Sequence, residues 1–280
     1  MSRNQDRLGG VQQPDTAPPP QTMSEGGFSF VVPTEFVELP SEGRYYPEGH
    51  PLCGETSIEI KQMTAKEEDI LTSRTLLKKG VALDRVLASV IVDKSIDPDS
   101  LLVGDRNAII IATRVSGYGN DYSTKVTCPA CGTAQEYTFD LNSADIFGGG
   151  NSSLGVIKND DGTFNVVLPK TGITATFRLL TGYDEKTLLS GSELDKKQKV
   201  ERNVTRQLSS MLVAANGDAS AQAINYLVDN LPSIDARHLR LAYRETAPNV
   251  DLTQHFECSE CDHEQDMEVP LSADFFWPDQ

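Results

Sequence analysis

The sequence predicts an α+β fold of two tandem pseudo-repeats, each a strand, helices and a CxxC β-hairpin, joined through a shared zinc-ribbon-like four-cysteine site. Three observations carry this. Cys128-Pro129-Ala130-Cys131 and Cys258-Ser259-Glu260-Cys261 stand 130 residues apart, each between short alternating segments. The residues around the two pairs also match. At the offset of 130, Asp105, Ala112, Arg114 and Asp121 fall on Asp235, Ala242, Arg244 and Asp251, Ile109 and Ile111 on Leu239 and Leu241, and Leu141 on Leu271. Further upstream the offset is 117, so that residues 58–64 fall on 175–181, Glu67-Glu68 on Asp184-Glu185 and Leu71 on Leu188. The difference of 13 reads as an insertion in the second half. Finally, helices lie between strand clusters rather than alternating as βαβ. A repeat on this scale decides the fold assignment.

The elements follow in order. Residues 1–27 are rich in Gln, Pro, Gly, Ser and Asp. They have too little apolar surface to offset ordering entropy, and read as a disordered tail. Residues 28–56 read as an extended arm, with Phe28, Phe30, Phe36, Tyr45 and Tyr46 among turn-forming Gly and Pro. Such an arm needs a surface, either on this chain's own first lobe or on a neighbour.

The first lobe spans 57–147. A strand over 57–61 leads to the capping box Thr64-Ala65-Lys66-Glu67. The helix it starts is expected to bury Ile70, Leu71 and Leu77 and to stop at Gly80. Further helices are expected over 83–93 and 106–115, then strands over 121–127 and 134–141 flanking the first CxxC. Gly148-Gly149-Gly150-Asn151-Ser152-Ser153 opens a flexible linker, 148–162.

The second lobe spans 163–280. Strands over 164–168 and 173–179 form a hairpin around Pro169-Lys170-Thr171-Gly172. Thr181-Gly182-Tyr183-Asp184 mirrors the capping box. A long helix is expected over 193–215, with Leu194, Val200, Val204, Leu208 and Met211 on one stripe. Helices over 221–230 and 235–244 precede the second CxxC hairpin.

Thiolates at i and i+3 of a tight turn grip a tetrahedral metal, and two such turns supply the closed shell of structural zinc. Cys128, Cys131, Cys258 and Cys261 are therefore the expected ligands of one structural Zn²⁺, each lobe contributing one knuckle. A redox CxxC usually opens a helix, whereas Gln135-Glu136-Tyr137-Thr138-Phe139 continues as a strand. Two disulfides suit an oxidising compartment, which the cysteine pattern does not suggest. His255 and His263 flank the second knuckle and are read as solvated rather than as ligands. Cys53 reads as a partly buried small side chain. A four-thiolate shell has no open position, so the site is a staple and not a reaction centre.

Composition narrows function further. The net charge is −16, from 41 acidic and 25 basic residues, which opposes broad phosphate neutralisation and favours basic partner surfaces. No apolar run reaches membrane-spanning length, and no secretion signal is visible. No GxGxxG, GxxxxGK[ST], GxSxG or HExxH motif occurs. The carboxylates of Glu67-Glu68-Asp69 and Asp184-Glu185 sit where first-turn acids complement a helix dipole. Lys196-Lys197-Gln198-Lys199 reads as a solvated helix face. The expectation is a non-enzymatic protein with no small-molecule substrate.

The run Arg44-Tyr45-Tyr46-Pro47-Glu48-Gly49-His50-Pro51-Leu52, residues 58–71, and Gly117-Tyr118-Gly119-Asn120-Asp121-Tyr122 before the first CxxC resemble the baseplate hub and assembly proteins of T4-like contractile-tailed bacteriophages. The resemblance covers residues 36–270. It implies a virion-tail role in the central baseplate, assembly in the host cytoplasm, and other tail or baseplate proteins as partners. Two alternatives remain open. A zinc-ribbon nucleic-acid-binding regulator needs a basic face, yet the second knuckle carries Glu257, Glu260, Asp262 and Glu264. A thiol oxidoreductase needs each CxxC to work alone without metal.

Overall fold

The computed structural model describes residues 31–150, 153–198, 202–270 and 273–276. The expected tail, 1–27, lies outside them, as do Val200 and Leu271. Residues Thr34–Gln280 form one unit; of the preceding unit, only residues 31–33 are described and they hold no regular element.

β1 (Thr34–Glu38) pairs antiparallel with β2 (Ser57–Lys61), setting Val37 opposite Ile58, both buried. The segment expected as an arm thus pairs with this chain's own first strand, and Leu39, Tyr46 and Leu52 continue into the core. Burying each such side chain stabilises by about 1.5–3 kcal/mol, enough to hold an irregular stretch in place.

α1 (Ala65–Thr72) begins on the expected capping box, with Thr64 N and Oγ1 both donating to Glu67 Oε2. It does not run on to Gly80. Ser73 is extended and α2 (Arg74–Lys78) starts afresh, so Leu71 is buried while Leu77 is exposed. Thr72 Oγ1 donates to Glu68 O just before the break, a side-chain bond that slightly destabilises and bends helices. α3 (Ala82–Val90) buries Val86, Leu87 and Val90. α4 (Val103–Tyr118) is longer than expected at both ends and stops at Gly119, whose φ of 82° few other residues adopt. β3 (Asp121–Thr127) and β4 (Ala134–Asp140) form the first cysteine hairpin, and β5 (Asp145–Phe147) follows.

The glycines at 148–150 serve close approach rather than freedom. A Cβ on Gly149 would lie 2.3 Å from Thr246 O, and Arg44 Nη2 donates to Gly148 O. β6 (Ile157–Lys158), β7 (Phe164–Val167), β8 (Thr174–Phe177) and β9 (Leu212–Ala215) make a four-stranded sheet in that order. The β7–β8 hairpin is as expected; β9 is not.

The helix expected over 193–215 is replaced by α5 (Gly182–Gln198), α6 (Asn203–Met211) and β9. The stripe Val204, Leu208, Met211 has helical spacing, but only Leu208 and Met211 are buried. Leu212 turns extended so that β9 can pair with the otherwise open edge of β8. Tertiary pairing overrides the periodic signal there. α7 (Ala221–Asn230), α8 (Ser233–Thr246), β10 (Asn249–Asp251), β11 (Thr253–Glu257), β12 (Glu264–Glu268) and a 3₁₀ turn at Ala273–Phe276 follow among the described residues.

One apolar core runs through both halves. The halves also exchange segments. β5 pairs with β10, and the 3₁₀ turn returns to the first half, where Arg114 Nε donates to Phe275 O and Tyr122 packs edge-on against Phe275. Val103 N donates to Leu180 O and Gly182 N to Leu101 O, joining the starts of α4 and α5. Together these contacts bring the two cysteine hairpins alongside one another.

Candidate metal centre

Each CxxC occupies the turn of its hairpin, and the two turns have the same backbone bonds. Cys128 N donates to Thr133 O and Gly132 N to Cys128 O; Cys258 N donates to His263 O and Asp262 N to Cys258 O. Both turns need a left-handed residue at the same place. Gly132 supplies it with φ 74°, and Asp262, a less favoured residue there, with φ 52°. This geometry buries the first cysteine of each pair, Cys128 and Cys258, and exposes the second, Cys131 and Cys261.

The hairpins then lock together. Tyr137 stacks at a tilt 5.1 Å from Phe256 and donates its hydroxyl to His255 O. Gln135 Nε2 donates to Glu257 O and its Oε1 accepts from Ser259 N, while Gln254 exchanges both its amide bonds with the Asp140 backbone. Val126 and Phe256 are buried behind the turns. Sequence reasoning missed these ties, because polar residues alternating on a strand look the same whether they meet solvent or another hairpin.

As a result, Cys128 Sγ lies 3.8 Å from Cys261 Sγ, and Cys131 Sγ 3.8 Å from Cys258 Sγ. All four sulfurs lie within 4.8 Å of one another. Four thiolates about 2.3 Å from a tetrahedral ion stand about 3.8 Å apart, so the cluster could hold one metal ion. The sulfurs are not joined as disulfides. Hydrogen bonds from the Thr133 hydroxyl and N–H pull Cys131 down to about 6. At Cys261 the His263 N–H lowers the thiol, but partial desolvation and the bonds with Cys131, Cys258 and Cys128 together push it up to about 12. Adjacent thiols resist joint ionisation, and a bound cation removes that resistance.

No histidine joins the group among the described residues. His255 Nδ1 faces Asp266 at 3.6 Å and His263 Nε2 lies 3.5 Å from Gln265 Oε1. Cys53, expected to be partly buried, is exposed. The charged surface beside the second knuckle is acidic, with Glu257, Glu260, Asp262 and Glu264 all exposed. No described helix is long and apolar enough to cross a membrane.

Comparison with curated proteins and with solved structures gives no match. Residues 33–277, nearly the whole chain, match the family described as T4 bacteriophage base plate protein. The chain therefore belongs to the T4 bacteriophage base plate protein family, as the resemblance over 36–270 implied.

Proposed function

We propose that this protein is a non-enzymatic structural or assembly component of the phage tail baseplate hub, working through contacts with other tail proteins, and that its fold is stapled by one Zn²⁺ held by Cys128, Cys131, Cys258 and Cys261. The observation that carries the staple is reciprocity. The first cysteine of each pair faces the second of the other at the same distance, 3.8 Å. A soft, all-thiol set at this spacing suits Zn²⁺, and metal binding of this kind contributes directly to folding. The site would hold the two halves in one relative position, which a part of a precise assembly needs.

The reading includes an internal duplication. Supporting it, Lys61 Nζ with Thr64 N and Oγ1 converges on the Glu67 carboxylate, while Arg178 with Thr181 N and Oγ1 converges on that of Asp184. Likewise Val37-Glu38-Leu39-Pro40 and Val166-Val167-Leu168-Pro169 each end a strand at a turn whose next N–H, Ser41 or Lys170, donates to a buried aspartate, Asp105 or Asp235. Domain limits of 57–147 and 163–280, with 28–56 as an extended arm and 148–162 as a linker, follow from the same reading.

The virion role is tested by removing the protein from an infecting phage. Tails without complete baseplates, rescued by the wild-type chain, are expected. Normal yields of infectious particles would overturn the assignment. Mass spectrometry of purified particles then separates a retained hub component from an assembly factor that acts in the host cytoplasm.

A further inference from the structure

An open cleft of about 610 Å³ lies beside α8, outside the cysteine cluster. Arg237, Arg240 and Arg244 line it, spaced so that all three share one helix face. All are exposed. Several other arginines meet carboxylates, Arg106 with Asp84, Arg178 with Asp184 and Arg206 with Asp195, while the exposed Arg74 and Arg85 stand singly outside the cleft. Among the described residues the three of the cleft make no ion pair, although acidic residues outnumber basic ones 41 to 25. Arg240 Nε reaches only Ala236 O of its own helix, at 3.4 Å.

The helix dipole explains one of the three. Arg244 lies in the last turn of α8, where a cation complements the helix dipole. That does not account for Arg237 and Arg240, which lie further back in the helix. Nor does it fit Arg114, 130 positions earlier, which is buried with its donors on the carbonyls of Phe275, Gly119 and Asp121. Among the described residues, the cleft thus collects three guanidinium groups with no carboxylate partner. Its remaining lining includes the half-buried Leu241 and the outer edges of Leu102 and Leu179, which are 6% and 7% exposed.

We propose that this cleft docks an acidic, partly apolar polypeptide segment of another protein, with carboxylates on Arg237, Arg240 and Arg244 and apolar side chains on Leu102, Leu179 and Leu241. Guanidinium forks match carboxylates bidentately. The volume suits a few side chains rather than a duplex. A polyanion would meet a net charge of −16, whereas a segment with a few carboxylates answers the local positive patch at little long-range cost. A nucleic-acid backbone also brings no apolar groups for the leucines. The proposal deepens the protein–protein reading above and is independent of zinc.

The test is fluorescence anisotropy on the full chain with a labelled, capped peptide of roughly 12 residues alternating Glu and Leu. A Lys/Leu peptide and single-stranded DNA of similar length serve as comparisons. Saturable binding of the Glu/Leu peptide is expected, weakened by salt and reduced about tenfold or more in R237A/R240A/R244A. The single variants R237A and R240A, each weakening binding about fivefold, carry the result should the triple variant misfold. No saturable binding up to about 1 mM peptide, unchanged binding by the variants, or tighter binding of DNA would overturn the proposal. Such a failure would remove the cleft alone, since the baseplate role is read separately from particle assembly.

Discussion

The two halves of the molecule agree where backbone groups must be satisfied and differ where side chains face outward. Glu67 and Asp184 each accept from a threonine N–H and hydroxyl at a helix start and from a cation at or just past a strand's end. Asp105 and Asp235 are both fully buried and both accept a turn N–H. Asp105, however, also holds Ser41 Oγ and the Tyr46 hydroxyl, supplied by the longer turn region after β1, while Asp235 takes a second backbone N–H from Thr171. Arg114 is buried on three carbonyls; Arg244 is exposed in a cleft. The difference teaches that a buried donor or acceptor fixes its partner's chemistry, because leaving either unpaired costs about 1–3 kcal/mol, whereas an outward position is free to serve a partner.

The largest expected effect tests the equivalence of the knuckles. Cys128→Ser and Cys258→Ser should each lose metal and lower the melting temperature alike. Zinc supplies about 10–16 kcal/mol in isolated fingers, and losing several of these here means a fall of about 10 °C or more, read by calorimetry. If one variant collapses and the other does not, the two pairs do not share an ion. Next comes the arginine contrast. Arg114→Ala strands three carbonyls and should cost about 3–5 kcal/mol in urea unfolding, against about 0.5 kcal/mol or less for Arg244→Ala. Equal costs would erase the contrast between a clamp and an open face.

The acid limb of stability separates two buried carboxylates. Burial alone would raise Glu67, but bonds from Lys61, Ser89 and Thr64 hold it at about 2, below its usual 4.5. Its stabilisation is full above pH 4.5 and lost as pH falls toward about 2, so Glu67→Gln should flatten the acid limb. Burial dominates at Asp105 and raises its carboxyl. That group favours the fold fully below its ordinary value and less as pH rises from there through its raised one, so Asp105→Asn should steepen the same limb. Urea midpoints across acidic pH decide both, and parallel curves would contradict the assigned environments. The smallest effect is at the turns. Asp262→Gly should gain about 1 kcal/mol by relieving a left-handed residue, and Gly132→Asp should lose a similar amount. An opposite order of the two midpoints would mean that the turns are not alike.

Much of this was legible in the sequence where local chemistry decides the outcome. The Thr64–Glu67 box, β3 and the β7–β8 hairpin lie where spacing and turn residues placed them. The cysteine cluster was legible because CxxC in a hairpin constrains its own geometry. What was not legible depends on distant partners. Nothing within Leu212–Ala215 announces the open edge of β8, so the helical stripe was extended too far. Gly149 looked like freedom, because the carbonyl of Thr246 it approaches lies nearly a hundred positions away. Arg237, Arg240 and Arg244 gave no sign of opening on one cleft until α8 was set beside Leu102 and Leu179.

The most direct test of the shared staple is the metal content of the purified chain, by elemental analysis with thiol titration before and after chelation. The account predicts one zinc per chain, with the four cluster thiols becoming reactive and the fold loosening once it is removed. A metal-free chain that keeps its fold and forms disulfides within each CxxC would contradict it.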